Sequence, residues 1–99
     1  MVRINWTKIA LEDLRHIFDY ISYDSIRYAK IQVVNIRDKT KILKQSPYAC
    51  KVVTELNKQN IRELIEGNYR IIYKIVDEER IDILAIHHGA RDFLRRIIS

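Results

Sequence analysis

Three short apolar runs between residues 61 and 91 constrain the fold more than any other feature of this chain. The runs are rich in isoleucine, and two turn signals separate them, Gly67-Asn68 and the charged stretch 77–80. A Gly-Asn pair between apolar runs is typical of a two-residue β-hairpin. The segment therefore predicts three antiparallel strands, at about 61–66, 69–76 and 81–88.

A short strand and two helices are predicted before this segment. Val2, Ile4 and Trp6 alternate with polar residues, which indicates a strand with one buried face, and Thr7 can then cap a helix. Apolar residues next recur every three or four positions in two successive groups, as on the buried faces of helices. The groups are Ala10, Leu14, Ile17, Phe18 and Ile21, and then Ala29, Val33, Ile36, Thr40 and Leu43. The second helix should end just before Pro47.

The predicted order of elements is β-α-α-loop-β-β-β-α. This order predicts an α+β fold in a single domain spanning 1–99. An N-terminal strand and an αα-hairpin should pack on a three- to four-stranded, mostly antiparallel sheet, with a short C-terminal helix over 90–98. Residues 47–60 have no clear period, and we expect a short extended piece followed by a loop.

The composition excludes several classes of protein. Apolar residues make up 47% of the 99 residues, so the chain should fold rather than be disordered. The one cysteine, Cys50, cannot form an intramolecular disulfide, and together with the lack of a signal-like start this indicates the cytoplasm. No apolar run is long enough to span a membrane. Without a Cys/His cluster or a Gly-rich loop, we expect no metal and no cofactor.

The net charge of +5 comes mainly from one segment. Residues 27–58 hold eight basic and two acidic residues, whereas the rest of the chain is nearly balanced. Arg37, Lys41 and Lys44 recur there at helical spacing and form a stripe. Such a stripe suits a polyanion or an acidic partner segment, and it equally suits a solvated helix face.

Alternation along the middle strand separates its side chains into two faces. The face with tyrosines and isoleucines should lie under the helices, and Arg70 and Lys74 should lie on the open face. Cations there would attract phosphates or an acidic peptide. The competing interpretation is an ion pair with Glu63, which a two-residue hairpin places diagonal to both cations. Arg62 falls on the other face, opposite Tyr73.

Two adjacent histidines end the third strand. His87 and His88 must point to opposite faces, so one should face the open surface and the other the core side. A histidine there could act as a general acid or base near neutral pH. No paired carboxylates, Ser-His-Asp set or Cys-His set is apparent. The residues alone therefore favour a small basic domain that binds something anionic.

Four motifs then follow one another along almost the whole chain. They are Trp6-Thr7 with Asp13-Leu14, then Arg62-Glu63-Leu64, the strand YRIIYKI over 69–75, and His88-Gly89-Ala90-Arg91. In this order they resemble the RelE/ParE superfamily of toxins from bacterial toxin–antitoxin modules. The tryptophan before the first helix, the Arg-Glu-Leu strand and the His-x-Ala-Arg ending are more similar to the ParE branch.

The resemblance implies a growth-inhibiting toxin that a cognate antitoxin holds inactive in a hetero-oligomer. ParE-like toxins act on DNA gyrase and are not known as nucleases, whereas RelE-like members cut mRNA in the ribosome. A RelE-like nuclease would use Arg70, His88 and Arg91. That set is incomplete, because the aromatic residue after Arg91 is Phe93, which has no proton to give. We therefore expect a gyrase-binding toxin, with an mRNA endoribonuclease as the alternative.

Two sets of binding residues follow from this interpretation. The sheet face and its edge should contact the target through Arg70, Lys74, His88 and Arg91. The antitoxin's apolar and acidic tail is expected to wrap the domain and to cross the basic stripe or the helical hairpin. The stripe residues that should contact it are Arg37, Lys41 and Lys44.

Overall fold

The computed structural model describes residues 2–89, which form a helical hairpin layered on a five-stranded sheet. The elements are β1 (Arg3–Trp6), α1 (Lys8–Ser22), α2 (Ile26–Thr40), a 3-10 helix (Lys41–Lys44), β2 (Lys51–Val52), β3 (Ile61–Glu66), β4 (Tyr69–Asp77) and β5 (Arg80–His88). The strand order is β1-β5-β4-β3-β2, with β1 and β5 parallel and the other pairs antiparallel. The predicted α+β class is confirmed. The predicted helix over 90–98 and Arg91 lie outside the described residues.

The sheet has five strands where the sequence predicted three or four. The additional strand is β2, a two-residue edge strand that pairs with β3. The Arg62 guanidinium holds the chain that leads into β2, because it donates to the carbonyl oxygens of Tyr48 and Cys50 at 3.0 and 2.7 Å. The short extended piece expected within residues 47–60 is thus present, but a pairing of two residues is too short to produce a periodic pattern, and so the sequence did not predict that it joins the sheet.

The β3–β4 hairpin has the register that its turn predicted. Glu66 and Tyr69 face each other across Gly67-Asn68, and the pairing continues without a shift to the start of β3. Gly67 has a φ of 60°, a left-handed value, and a Cβ at this position would meet nothing within 4 Å. The glycine is therefore needed for its backbone conformation rather than for space.

The helical hairpin covers one face of the sheet, as predicted. The apolar sides of α1, α2 and the 3-10 helix pack on this face and exclude water from a common core. The core residues are Ala10, Leu14, Ile36, Leu43, Leu64, Ile71, Tyr73, Ile75, Ile81, Ile83 and Ile86. The Asp13 carboxylate accepts a hydrogen bond from the Ile86 N–H at 2.9 Å, which ties α1 to β5.

The sheet face away from the helices, here called the outer face, is also partly covered. Residues 53–60 fold back over it, with Val53 and Ile72 buried at the centre of a second, smaller apolar cluster. Around them pack the partly buried side chains of Leu56, Ile61 and Leu84. Farther along β4 the outer face is open at Lys74 and Val76. The sequence did not indicate this cover.

Thr7 links the first helix to the sheet. Its hydroxyl accepts a hydrogen bond from the Ala10 N–H at 3.2 Å, which caps α1, and it donates to the Ile83 carbonyl at 2.7 Å. Ser25 caps α2 through the Tyr28 N–H at 3.1 Å, but it lies at the tip of the helical hairpin. Thr7 therefore caps a helix and also joins it to the sheet, whereas the hydrogen bond to Ser25 only caps a helix.

We expect Thr7→Val to lower the free energy of unfolding by about 1–2 kcal/mol, because it removes both the cap and a bond to a buried strand. Ser25→Ala removes a cap alone and should cost about 0.5–1 kcal/mol. Urea unfolding followed by circular dichroism measures both. Thr7→Ser should recover most of the loss, and equal losses for the two positions would contradict the linking role of Thr7.

Candidate functional site

Arg70 lies at the centre of a buried cluster of charges on the outer face. Its Nε donates to Glu63 of β3, with which its Nη2 also forms an ion pair, and its Nη1 and Nη2 donate to Glu55 at 2.9 and 3.1 Å. Only 8% of the Arg70 surface is exposed, and both carboxylates are largely buried. At least three of the five guanidinium N–H groups thus donate to carboxylate oxygens.

The prediction of Arg70 as an exposed cation on an open face is wrong. The ion pair with Glu63 is present, and Glu55 adds a second carboxylate. The physical reason is the cover formed by residues 53–60, since a guanidinium beneath it must be neutralised. The hydrogen bond from Arg70 lowers the pKa of Glu55 to about 2, and the hydrogen bond to Glu55 raises the pKa of Arg70.

The two histidines point to opposite faces, as predicted. His87 lies directly across from Arg70 on the outer face and is buried. His88 lies across from Tyr69 on the helix-side face and is exposed, with the two ring centroids 5.2 Å apart. Arg70 and His88 therefore lie on opposite faces of the sheet, and the structure does not bring them together as one catalytic set.

Glu55 is the member of this cluster that the sequence did not place. It belongs to a segment without a strand or helix period, whose backbone turns at Asn57 with a φ of 51°. The one available signal was the spacing of Val53 and Leu56, two apolar residues on either side of it. Their packing on the sheet brings Glu55 over Arg70.

Lys74 is exposed on the open part of the outer face, as predicted. It lies across from Asp82, whose carboxylate accepts hydrogen bonds from Arg80 at 2.8 Å and from Asn5 at 3.1 Å. Arg80 and Lys74 together lower the pKa of Asp82, with the hydrogen bond from Arg80 as the larger cause. Lys74 is thus separated from the buried Arg70 cluster and is accessible to a partner.

A groove of about 740 Å³ lies between β1 and the C-terminal half of α2. The predicted stripe residues Arg37, Lys41 and Lys44 all line it, and so does Arg3. Among the residues of its lining, Asp38 is the one acid, and it pairs with Lys41 at 3.1 Å. Thr40 and four apolar side chains complete the lining, the latter being Val2, Ile4, Trp6 and Val34. The stripe is therefore a wall of a concave site, here called the basic groove.

β1 forms one side of the basic groove and is an edge strand of the sheet. It pairs with β5 along one edge, and within residues 2–89 no strand pairs with its other edge. The Arg37 guanidinium lies 5.5 Å from the centroid of the Trp6 ring, a cation–π contact that holds it against the groove. An unpaired edge beside apolar and cationic side chains suits an extended segment that carries apolar and acidic residues.

The described residues contain neither a metal-binding cluster nor a helix that could span a membrane. In the part of the chain that the structure describes, no three His, Cys, Asp or Glu side chains lie together as ligands for a metal ion. Neither α1 nor α2 is long and apolar enough to cross a membrane. Each has 15 residues, below the ~20 that a span requires.

Comparisons with known proteins agree with the motifs. The family model for the "ParE toxin of type II toxin-antitoxin system, parDE" matches residues 4–93. Among solved structures, the chain is similar to one described as "Chromosomal ParDE TA system from P. aeruginosa". The TM-score is 0.76 and the sequence identity is 26%, over 91% of this chain and 98% of that chain. No curated protein sequence matches significantly.

The fold and these matches define a toxin of the type II toxin–antitoxin class. More specifically, the chain belongs to the ParE toxin family. The predicted membership of the RelE/ParE superfamily, on its ParE branch, is confirmed.

The Glu55–Arg70 pair should make stability depend on pH in acid. The pKa of Glu55 is lowered from 4.5 to about 2 in the folded chain, so its contribution is complete above pH 4.5 and is lost as the pH falls towards 2. Glu55→Gln should therefore reduce the free energy of unfolding by about 1–3 kcal/mol at neutral pH. The free energy of unfolding of this variant should also depend less on pH between 4.5 and 2. Thermal unfolding at a series of pH values measures both effects.

Glu78→Gln is the matched control, because Glu78 is exposed in the turn between β4 and β5. This variant should follow the wild-type profile throughout. Parallel profiles for the wild type and Glu55→Gln would show that the pair does not contribute in the expected way.

Proposed function

We propose that this chain inhibits growth by binding DNA gyrase and that a cognate antitoxin neutralises it. Membership of the ParE family supports the toxin class, and the state of Arg70 supports binding over cleavage. An arginine that stabilises a scissile phosphate must direct free N–H groups at it. Those of Arg70 are directed at Glu55 and Glu63. A gyrase target places the proposed action in the cytoplasm.

The endoribonuclease alternative has less support from the geometry. Cleavage through a ribose 2′-hydroxyl needs a base, an acid and a cation around one phosphate. Arg70 and His88 lie on opposite faces, and His87, which does share a face with Arg70, is buried with it. Lys74 and His88 are exposed, and with Arg91 they stay our predicted contacts for the target.

We further propose that the antitoxin occupies the basic groove. Its cations, Arg37, Lys41 and Lys44, lie beside an apolar floor and the free edge of β1. An extended tail with alternating acidic and apolar side chains could add to β1 through its backbone and place its carboxylates against these cations. Toxin and antitoxin would then form a hetero-oligomer.

The gyrase proposal is tested with purified toxin, DNA gyrase and relaxed plasmid. Supercoiling should fall as toxin is added, because the toxin stalls the enzyme, and an equimolar amount of antitoxin should restore it. Primer extension on mRNA from cells expressing the toxin should show no new ends. Undiminished supercoiling together with cuts at codon boundaries would instead favour the endoribonuclease.

The groove proposal is tested by reversing the charge of Arg37, Lys41 and Lys44 to glutamate. Antitoxin affinity, measured by calorimetry, should weaken by about 100-fold or more, since three attractions become repulsions. The matched control reverses Lys39, Lys51 and Lys58, which are exposed and do not line the groove. Similar affinities for the two triple variants would exclude the basic groove as the antitoxin site.

A further inference from the structure

The tip of the helical hairpin exposes three tyrosines. Tyr20, Tyr23 and Tyr28 are 80%, 95% and 59% exposed, and none belongs to either apolar cluster. Exposed aromatic rings do not stabilise the fold, since they remain in water. Several large aromatic rings that lie together on the surface, outside the core, are typical of a surface that a partner covers.

The end of the sheet continues this surface. Glu66, Tyr69 and His88 lie side by side across β3, β4 and β5 on the helix-side face. The Tyr69 ring meets the His88 ring edge to face, and the pKa of Tyr69 is raised by burial and by the nearby hydroxyls of Tyr20 and Tyr28. The hairpin tip and the sheet end thus form one surface, here called the tyrosine patch, made of Tyr20, Tyr23, Tyr28 and Tyr69.

The charge around the tyrosine patch differs from that of the basic groove. Residues 19–28 hold Asp19 and Asp24 against a single cation, Arg27, and Glu66 adds a further carboxylate beside Tyr69. The patch lies at the N-terminal end of α2 and the groove at its C-terminal end. Along α2, Tyr28 of the patch precedes Arg37 of the groove by nine residues, or about 14 Å of helix. One partner can therefore bind the patch without entering the groove.

We infer that the tyrosine patch, which His88 adjoins at Tyr69, is the main surface through which the toxin binds its protein target. This inference rests on the gyrase proposal. Tyrosine is enriched among the residues that dominate protein interfaces, since its ring fills an apolar pocket and its hydroxyl bonds to the pocket rim. A polynucleotide is disfavoured as the occupant, because binding its phosphates requires an excess of cations. The carboxylates of Asp19, Asp24 and Glu66 around the patch instead complement a basic protein surface. An enzyme that binds DNA must have basic surfaces, because it has to neutralise the DNA phosphates.

The test measures binding of DNA gyrase, without DNA, to the full-length toxin by surface plasmon resonance. A triple variant with Tyr20→Ser, Tyr23→Ser and Tyr28→Ser should bind gyrase at least about 30-fold more weakly. The toxin concentration that inhibits supercoiling by half should rise by about the same factor. Asp24→Lys should weaken binding several-fold and reduce its salt dependence. Tyr48→Ser is the matched control, because Tyr48 is 60% exposed outside the patch, and it should bind as the wild type does.

Unchanged far-UV circular dichroism and antitoxin affinity show that the triple variant is folded. If it does not fold, Tyr23→Ser alone replaces it, since Tyr23 is almost fully exposed. Wild-type toxin that fails to bind gyrase would overturn the proposed function and this inference with it. Wild-type binding that the folded patch variants retain would overturn the inference alone. Tyrosine-dependent binding to an oligonucleotide, with gyrase binding unaffected, would also overturn it.

Discussion

β4 is enclosed along both edges and over most of both faces, and this enclosure dictates which side chains it can carry. This strand has neighbours along both edges, the helical layer on one face and residues 53–60 over much of the other. A strand in that position can bury isoleucines and a tyrosine without cost, but every charge on it must be neutralised. Arg70 is the charge in its buried part. Glu63 from β3 and Glu55 from the covering segment supply the neutralising carboxylates.

This neutralisation also decides what the strand can do. In a nuclease, an arginine at such a position would serve the phosphate of the substrate, and its donors would have to be free for that substrate. Here the same donors hold a surface segment onto the sheet. The cluster therefore contributes to the architecture, and the surfaces suited to partners lie elsewhere, where cations and aromatic rings are exposed.

α2 organises those surfaces, because its two ends present different chemistry. Its C-terminal half supplies Arg37 to the basic groove, and the 3-10 helix that follows it supplies Lys41 and Lys44, next to Trp6 and the free edge of β1. Its N-terminal end supplies Tyr28 to the tyrosine patch. Such a toxin is bound by an inhibitor and by a target. Two surfaces of different charge allow each partner to be matched by its own surface. Charge complementarity then favours a different partner at each end.

The main strands, the two helices, the hairpin register and the family could all be predicted from the sequence, because apolar periodicity, Gly67-Asn68 and the Thr7 cap are local signals. The sequence also placed Arg37, Lys41 and Lys44 on one stripe. Three features emerged only in the folded chain: the pairing of β2 with β3, the packing of residues 53–60 over the outer face, and the burial of Arg70. These features depend on contacts between distant segments without a period of their own. The spacing of Val53 and Leu56 hints that this segment packs on the fold, but only the packing itself brings Glu55 over Arg70, fifteen residues later in the chain.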